Sequence, residues 1–141
     1  MADLSEVQVK ELQQAYMEMQ QIDGQMKQGN RQVAVLDQQI AEIHAVARSV
    51  MEMGEVQDNA ELFVPIANGI FAKAQLKQTK EFLVNVGSGV VVPKPAAAVR
   101  ELLEEQAARV HAAKDELMRE MSELAKHSNT IEEKMKKFIE A

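Results

Sequence analysis

The stretch Glu61-Leu-Phe-Val-Pro-Ile-Ala-Asn-Gly-Ile-Phe-Ala-Lys-Ala-Gln-Leu76, followed by Phe82-Leu-Val-Asn-Val-Gly-Ser-Gly-Val-Val-Val-Pro93, decides the fold. Runs rich in Val, Ile and Phe are broken here by turn residues, while heptad-patterned arms lie on either side. Leu62 to Ile66 and Ile70 to Leu76 flank Ala67-Asn68-Gly69, and Asn-Gly predicts a type I′ hairpin turn because both residues tolerate positive φ. A second hairpin is expected from Glu81 to Val86 and Val90 to Pro93 across Gly87-Ser88-Gly89, with Lys77 to Lys80 linking the two. Pro65 donates no N–H, so it belongs at an edge or a bulge.

Outward from this insert, the upstream arm carries one apolar seam. Alternate steps of three and four residues from Leu12 reach Ala15, Met19, Ile22, Met26, Gly29, Val33, Leu36, Ile40, Ile43, Ala47 and Val50. A repeat held in phase for about five heptads predicts a left-handed supercoil around a partner helix. Gly29 is the one break in its apolar character, and Gly24, Gly29 and Asn30 predict a soft stretch where the arm could bend. The downstream arm should begin near Ala96, because Pro95 suits the first turn of a helix and no later position. Its seam is read as Val99, Leu103, Gln106, Val110, Ala113, Leu117, Met121, Leu124, Ser128, Ile131, Met135 and Phe138, with a stutter after Ala113.

The expected fold is mainly α with a β insert: a long antiparallel two-helix coiled coil over 4–55 and 96–140, with two β-hairpins over 61–93 at its closed end. Residues 1–141 then form a single domain. Two short hairpins are marginal in water, and Val90-Val91-Val92 reads as a run covered on both faces. Two thin arms cannot cover it, so hairpins of several chains are expected to combine into an intersubunit β-barrel. The residues expected to build it are Leu62, Val64, Ile66, Ile70, Phe71, Leu83, Val84, Val86, Val90, Val91 and Val92.

Composition narrows the function. Of 141 residues, 46% are hydrophobic but only 4% aromatic, which suits narrow seams better than a thick core. A net charge of −6 with interleaved signs disfavours a nucleic-acid partner. A basic arm tip like that of seryl-tRNA synthetase is not expected either, since Lys134, Lys136 and Lys137 are matched by Glu132, Glu133 and Glu140. There is no Cys, so no disulfide or thiolate metal site. No apolar run approaches the roughly 20 residues that span a bilayer, and no leader pattern opens the chain, so no membrane association and a cytoplasmic location are expected. His44, His111 and His127 lack metal-ligand spacing and are read as solvated flank residues, as are the paired glutamates Glu104-Glu105, Glu116 with Glu120, and Glu132-Glu133. Gly87-Ser88-Gly89 lacks the phosphate-cradling pattern. No cofactor and no catalysis are expected.

The segment from Leu62 to Pro93, with Pro65, Asn68-Gly69, Lys73 and Val84-Asn85-Val86-Gly87-Ser88-Gly89-Val90-Val91-Val92, closely resembles the α subunit of archaeal prefoldin, and the arms agree over nearly the whole chain. The resemblance implies a hexamer with four copies of a β-type subunit and two of this α type. It further implies ATP-independent capture of unfolded polypeptide and its delivery to a group II chaperonin. At the free tip, Leu4, Val7, Val9, Leu12 and Tyr16 should lie near Ile131, Met135, Phe138 and Ile139. Some of these must stay exposed, which suits client binding, while Met17, Met19, Met118 and Met121 read as ordinary seam and flank residues. A structural coiled-coil adaptor, joined through its hairpins and binding no client, satisfies the same pattern.

Overall fold

In the computed structural model, which describes residues 4–77 and 80–140, the chain runs through α1 (Glu6–Glu55), β1 (Glu61–Ala67), β2 (Ile70–Gln75), β3 (Glu81–Gly87), β4 (Val90–Pro95) and α2 (Ala96–Glu140). It divides into two compact units, one made of the chain up to Gln39 and from Val110 onward, the other of Ile40–Arg109. The expected link from Lys77 to Lys80 falls partly on residues 78–79, outside those described.

Ser5 starts α1 with a reciprocal capping box. Its Oγ accepts from the Gln8 backbone N–H at 3.3 Å, while the Gln8 side-chain oxygen accepts from the Ser5 N–H at 2.9 Å. Two amides that a helix start leaves without partners are thereby satisfied. The helix then runs without interruption through Gly24, Gly29 and Asn30. Every position of its expected seam, from Leu12 to Val50, is half-buried or buried.

Within the first unit the helix segments are antiparallel, since Met19 meets Ser128 (Sδ to Oγ 3.4 Å) and the later Asp37 meets the earlier Lys114 (2.6 Å). Gly29 is buried because Met121 fills the space beside it. Few of the described side chains are buried: Ile22 and Ile131 in this unit, and Ile40, Val99 and Ala107 in the other. Stability is therefore spread along the seam, each partly buried aliphatic contributing on the order of 1 kcal/mol.

The seam of α2 differs from the expected one at two positions. Gln106 and Ala113 are exposed, and Ala107 and Lys114 face inward instead. The two successive four-residue steps thus fall at Val99, Leu103 and Ala107, and from Ala107 to Phe138 the steps alternate regularly. The polar amide of Gln106 stays in water, which costs nothing, while the small Ala107 lets the helices close tightly over it.

The second unit contains both hairpins, each a separate two-stranded antiparallel sheet. They are copies of one plan. Glu61, Leu62, Val64 and Ala67 correspond to Glu81, Phe82, Val84 and Gly87 twenty positions later, and both registers slip at the equivalent place, between Pro65 and Ala67 and between Asn85 and Gly87. Pro65 thus borders a bulge. The turns differ from expectation: at Asn68-Gly69 only Gly69 has positive φ (77°), whereas both Ser88 (51°) and Gly89 (75°) do. The type I′ signature belongs to Ser88-Gly89. In the first hairpin a single left-handed glycine beside a bulge supplies the twist, which is the other common solution to a short connection. The base of that hairpin is extended by Leu76 N–H donating to Ala60 O at 2.9 Å and Asn59 N–H to Leu76 O at 2.6 Å.

Candidate functional site

Two apolar surfaces stand out, one in each unit. In the second unit, pleating puts Phe63, Phe71, Leu83 and Val91 on outward faces, all exposed, with Leu83 at 78%. Leu62, Val84 and Val92 point the other way and are half-buried; Val64 shares their parity and remains exposed. Ile66, Ile70, Val86 and Val90, around the turns, are all exposed. Among the described residues no strand has a second neighbour, so every strand keeps one edge of unpaired N–H and C=O groups. Phe63 was not among the residues expected to build an interface, yet it shares a concave patch with Phe71. Its signal was available, because Phe63 pairs with Lys73 and Phe71 with Pro65, which sets both aromatics on one face.

In the first unit the helix ends carry different chemistry on the two sides of the seam. Residues that directly precede a seam position form one side: Glu11 and Glu18 from α1, His127 and Lys134 from α2. Together with Lys137 they rim a groove floored by Leu4, Ala15, Ile131 and Phe138. His127 Nε2 lies 3.9 Å from Glu18 Oε2. Residues that directly follow a seam position form the other side, where Tyr16 and Ile139, with Leu12, Met17 and Met135, line a groove without a charged group. Tyr16 is 56% exposed, Met17 62% and Ile139 76%. Val9 follows the same flank one heptad before Tyr16 and is exposed. The apolar flank ends inward at Asp23 on α1, while on α2 Lys136, which directly follows Met135, already carries a charge.

The structure thus sorts the nine expected tip residues. Val7, Val9, Tyr16 and Ile139 are exposed, Leu4, Leu12, Met135 and Phe138 are half-buried, and Ile131, at 3%, is enclosed between the helices. Val7 lies apart from both grooves. Met17, read from the sequence as a flank residue, joins the apolar groove. Its position, one residue after Tyr16 and four after Gln13, marks it only once the partner helix is in place.

Electrostatics along the arms are those of solvated helices. Arg119 hydrogen-bonds Glu116, and this holds the Glu116 carboxyl below its ordinary pKa of 4.5 and raises that of the guanidinium. Among the described residues no group of three His, Asp or Glu could hold a metal ion, and no helix is long and apolar enough to cross a membrane.

Comparison with known proteins agrees with this architecture. A family model for prefoldin subunits matches residues 22–140. The chain is 30% identical over 95 residues to prefoldin subunit alpha of Methanobrevibacter smithii, covering 67% of this chain and 64% of the relative. It is 22% identical over 102 residues to the alpha subunit of Thermofilum pendens, covering 72% of this chain and 79% of that one. To the alpha subunit of Methanothrix thermoacetophila it is 37% identical over 68 residues, covering 48% and 40%. The chain therefore spans a little under two thirds of the first of these relatives. Among solved structures, the filamentous PFD of Methanocaldococcus jannaschii superposes with a TM-score of 0.74 at 15% identity, covering 84% of this chain and 98% of that one. That likeness is one of fold.

Proposed function

The chain belongs to the prefoldin family, and from that premise we propose that it is an α-type subunit of an ATP-independent chaperone that captures unfolded polypeptide and delivers it to a group II chaperonin. The observation that carries the reading is the uncharged groove of Leu12, Tyr16, Met17, Met135 and Ile139, open to solvent at the helix ends. Met and aliphatic side chains adapt to many apolar sequences, and an unfolded chain offers such segments without a fixed order. Affinity at one groove is weak. Several grooves engaging one client raise the apparent affinity steeply, with no nucleotide needed to drive capture.

Multivalency requires assembly, which the hairpins supply. Exposed outward faces and unpaired edges suit pairing with hairpins of neighbouring subunits in a shared barrel, two copies of this chain joining four of a β-type subunit. The complex would act in the cytoplasm.

The test is suppression of client aggregation by the assembled complex carrying Tyr16→Ser, Met17→Ser and Ile139→Ser. Loss of suppression with the assembly intact supports capture at this groove; undiminished suppression rejects it. If the wild-type complex protects no client at all, the chain is a structural adaptor.

A further inference from the structure

Lys114 sits in an otherwise uncharged seam. From Ala107 to Phe138 it is the one charged residue among the inward positions of α2. Its side chain is 24% exposed, and its Nζ lies 2.6 Å from Oδ1 of the half-exposed Asp37 of α1. A partly desolvated ammonium is costly alone and well held by a charge-assisted hydrogen bond. The other ion pairs among the described residues join neighbours in one helix, apart from the long and exposed approach of His127 to Glu18.

What surrounds Asp37 makes the pair selective. Asp37 directly follows the seam residue Leu36, and the residues in the same place one heptad away are Asn30 and His44, neither of them an acid. A slip of seven residues is the smallest that keeps two apolar seams in phase. In either direction it would leave Lys114 facing no carboxylate. Gly29 and Met121 impose the same choice by shape, because the slip would bring Met121 against Ile22 or Leu36 in place of a glycine.

We propose that the Asp37–Lys114 pair, seconded by Gly29 and Met121, sets the register in which α1 and α2 meet in the first unit, and thereby aligns Tyr16 and Met17 with Met135 and Ile139. Asp37 and Lys114 are positioning residues. They act on the geometry of the helix pair, and this role stands whether or not the groove takes polypeptide. A lysine at a single inward position is a known means of fixing register at some cost in stability.

Because the chain has no cysteine, register can be read from disulfide competition in the full-length protein. In the triple variant L12C/M19C/S128C, the thiol introduced at position 128 faces the one at position 19 in the native register and the one at position 12 after a seven-residue slip. Under an equilibrating thiol buffer, peptide mass spectrometry should find the 19–128 bond in at least about tenfold excess, the factor given by one charge-assisted hydrogen bond. Adding Asp37→Asn should erode that ratio by about tenfold, Asp37→Glu should preserve it, and the exchange D37K/K114D should restore it. Adding N30D with D37N moves the acid back one heptad and should shift the bond toward 12–128. If the 19–128 bond dominates unchanged in all these backgrounds while only the melting temperature falls, the pair merely stabilises and the proposal is overturned.

Discussion

Met121 occupies the space that a side chain at Gly29 would need: a Cβ built on Gly29 would lie 2.8 Å from the Met121 sulfur. The glycine costs the helix roughly 1 kcal/mol relative to alanine, and the close approach accounts for its place in the seam. Gly29→Ala in the wild-type background should be near neutral, because the propensity gain is offset by displacing Met121. With Met121→Ala alongside, the same change should recover about 1 kcal/mol. Urea unfolding of the four members of this cycle measures the coupling; additive effects would contradict the packing account.

At the other end of α1, Ser5→Ala removes half of the capping box. About 1 kcal/mol of local helix stability should be lost. The Val9 amide, which donates to Ser5 O at 3.0 Å, should then exchange with solvent roughly fivefold faster. Exchange measured farther along, beyond Ile22, should not change.

The hairpin faces predict a change that is silent in the isolated chain and severe in the assembly. Val91 is 53% exposed, so Val91→Asp should leave helix content by circular dichroism intact. Covered by a neighbouring subunit, an unpaired carboxylate there should cost several kcal/mol. Native mass spectrometry should find monomers or small oligomers, and an intact complex carrying the change would refute a covered Val91.

The pair Arg119 and Glu116 gives a pH signature. The folded-state pKa of Glu116 is depressed, so its small stabilising effect is present above the ordinary pKa of 4.5 and is lost as pH falls through the lower folded value. Carboxyl NMR should find Glu116 titrating below 4.5, and Arg119→Ala should return it toward that value. An unmoved titration would dissociate the shift from the arginine.

Much of this fold was legible because apolar spacing and proline chemistry are local. The α1 seam is inward at every position read from the sequence, and α2 begins at Ala96, directly after Pro95. What escaped reading depends on partners far along the chain. Ala113 fits an apolar seam better than Lys114, until Asp37 is seen to neutralise the lysine. Asn68-Gly69 carries the stronger type I′ signal, yet it is Ser88-Gly89 whose two residues both have positive φ, although both hairpins carry the same bulge. At the candidate site, the sequence placed Leu12, Tyr16, Met135 and Ile139 near the helix ends, where these four line one groove while Val7 lies apart from it. The sequence could not divide the helix ends into a charged side and an apolar side, nor enlist Met17, because that division requires knowing which flank of α1 meets which flank of α2.

The one-sidedness of those helix ends is the central claim, and site-specific photo-crosslinking tests it most directly. A photoreactive residue placed at Tyr16 or Ile139 in the assembled complex should capture a denatured client. The same residue at Glu11 or Glu18, on the charged side of the seam, should capture little. Equal capture from both sides, or capture mainly from Glu11 and Glu18, would contradict the account.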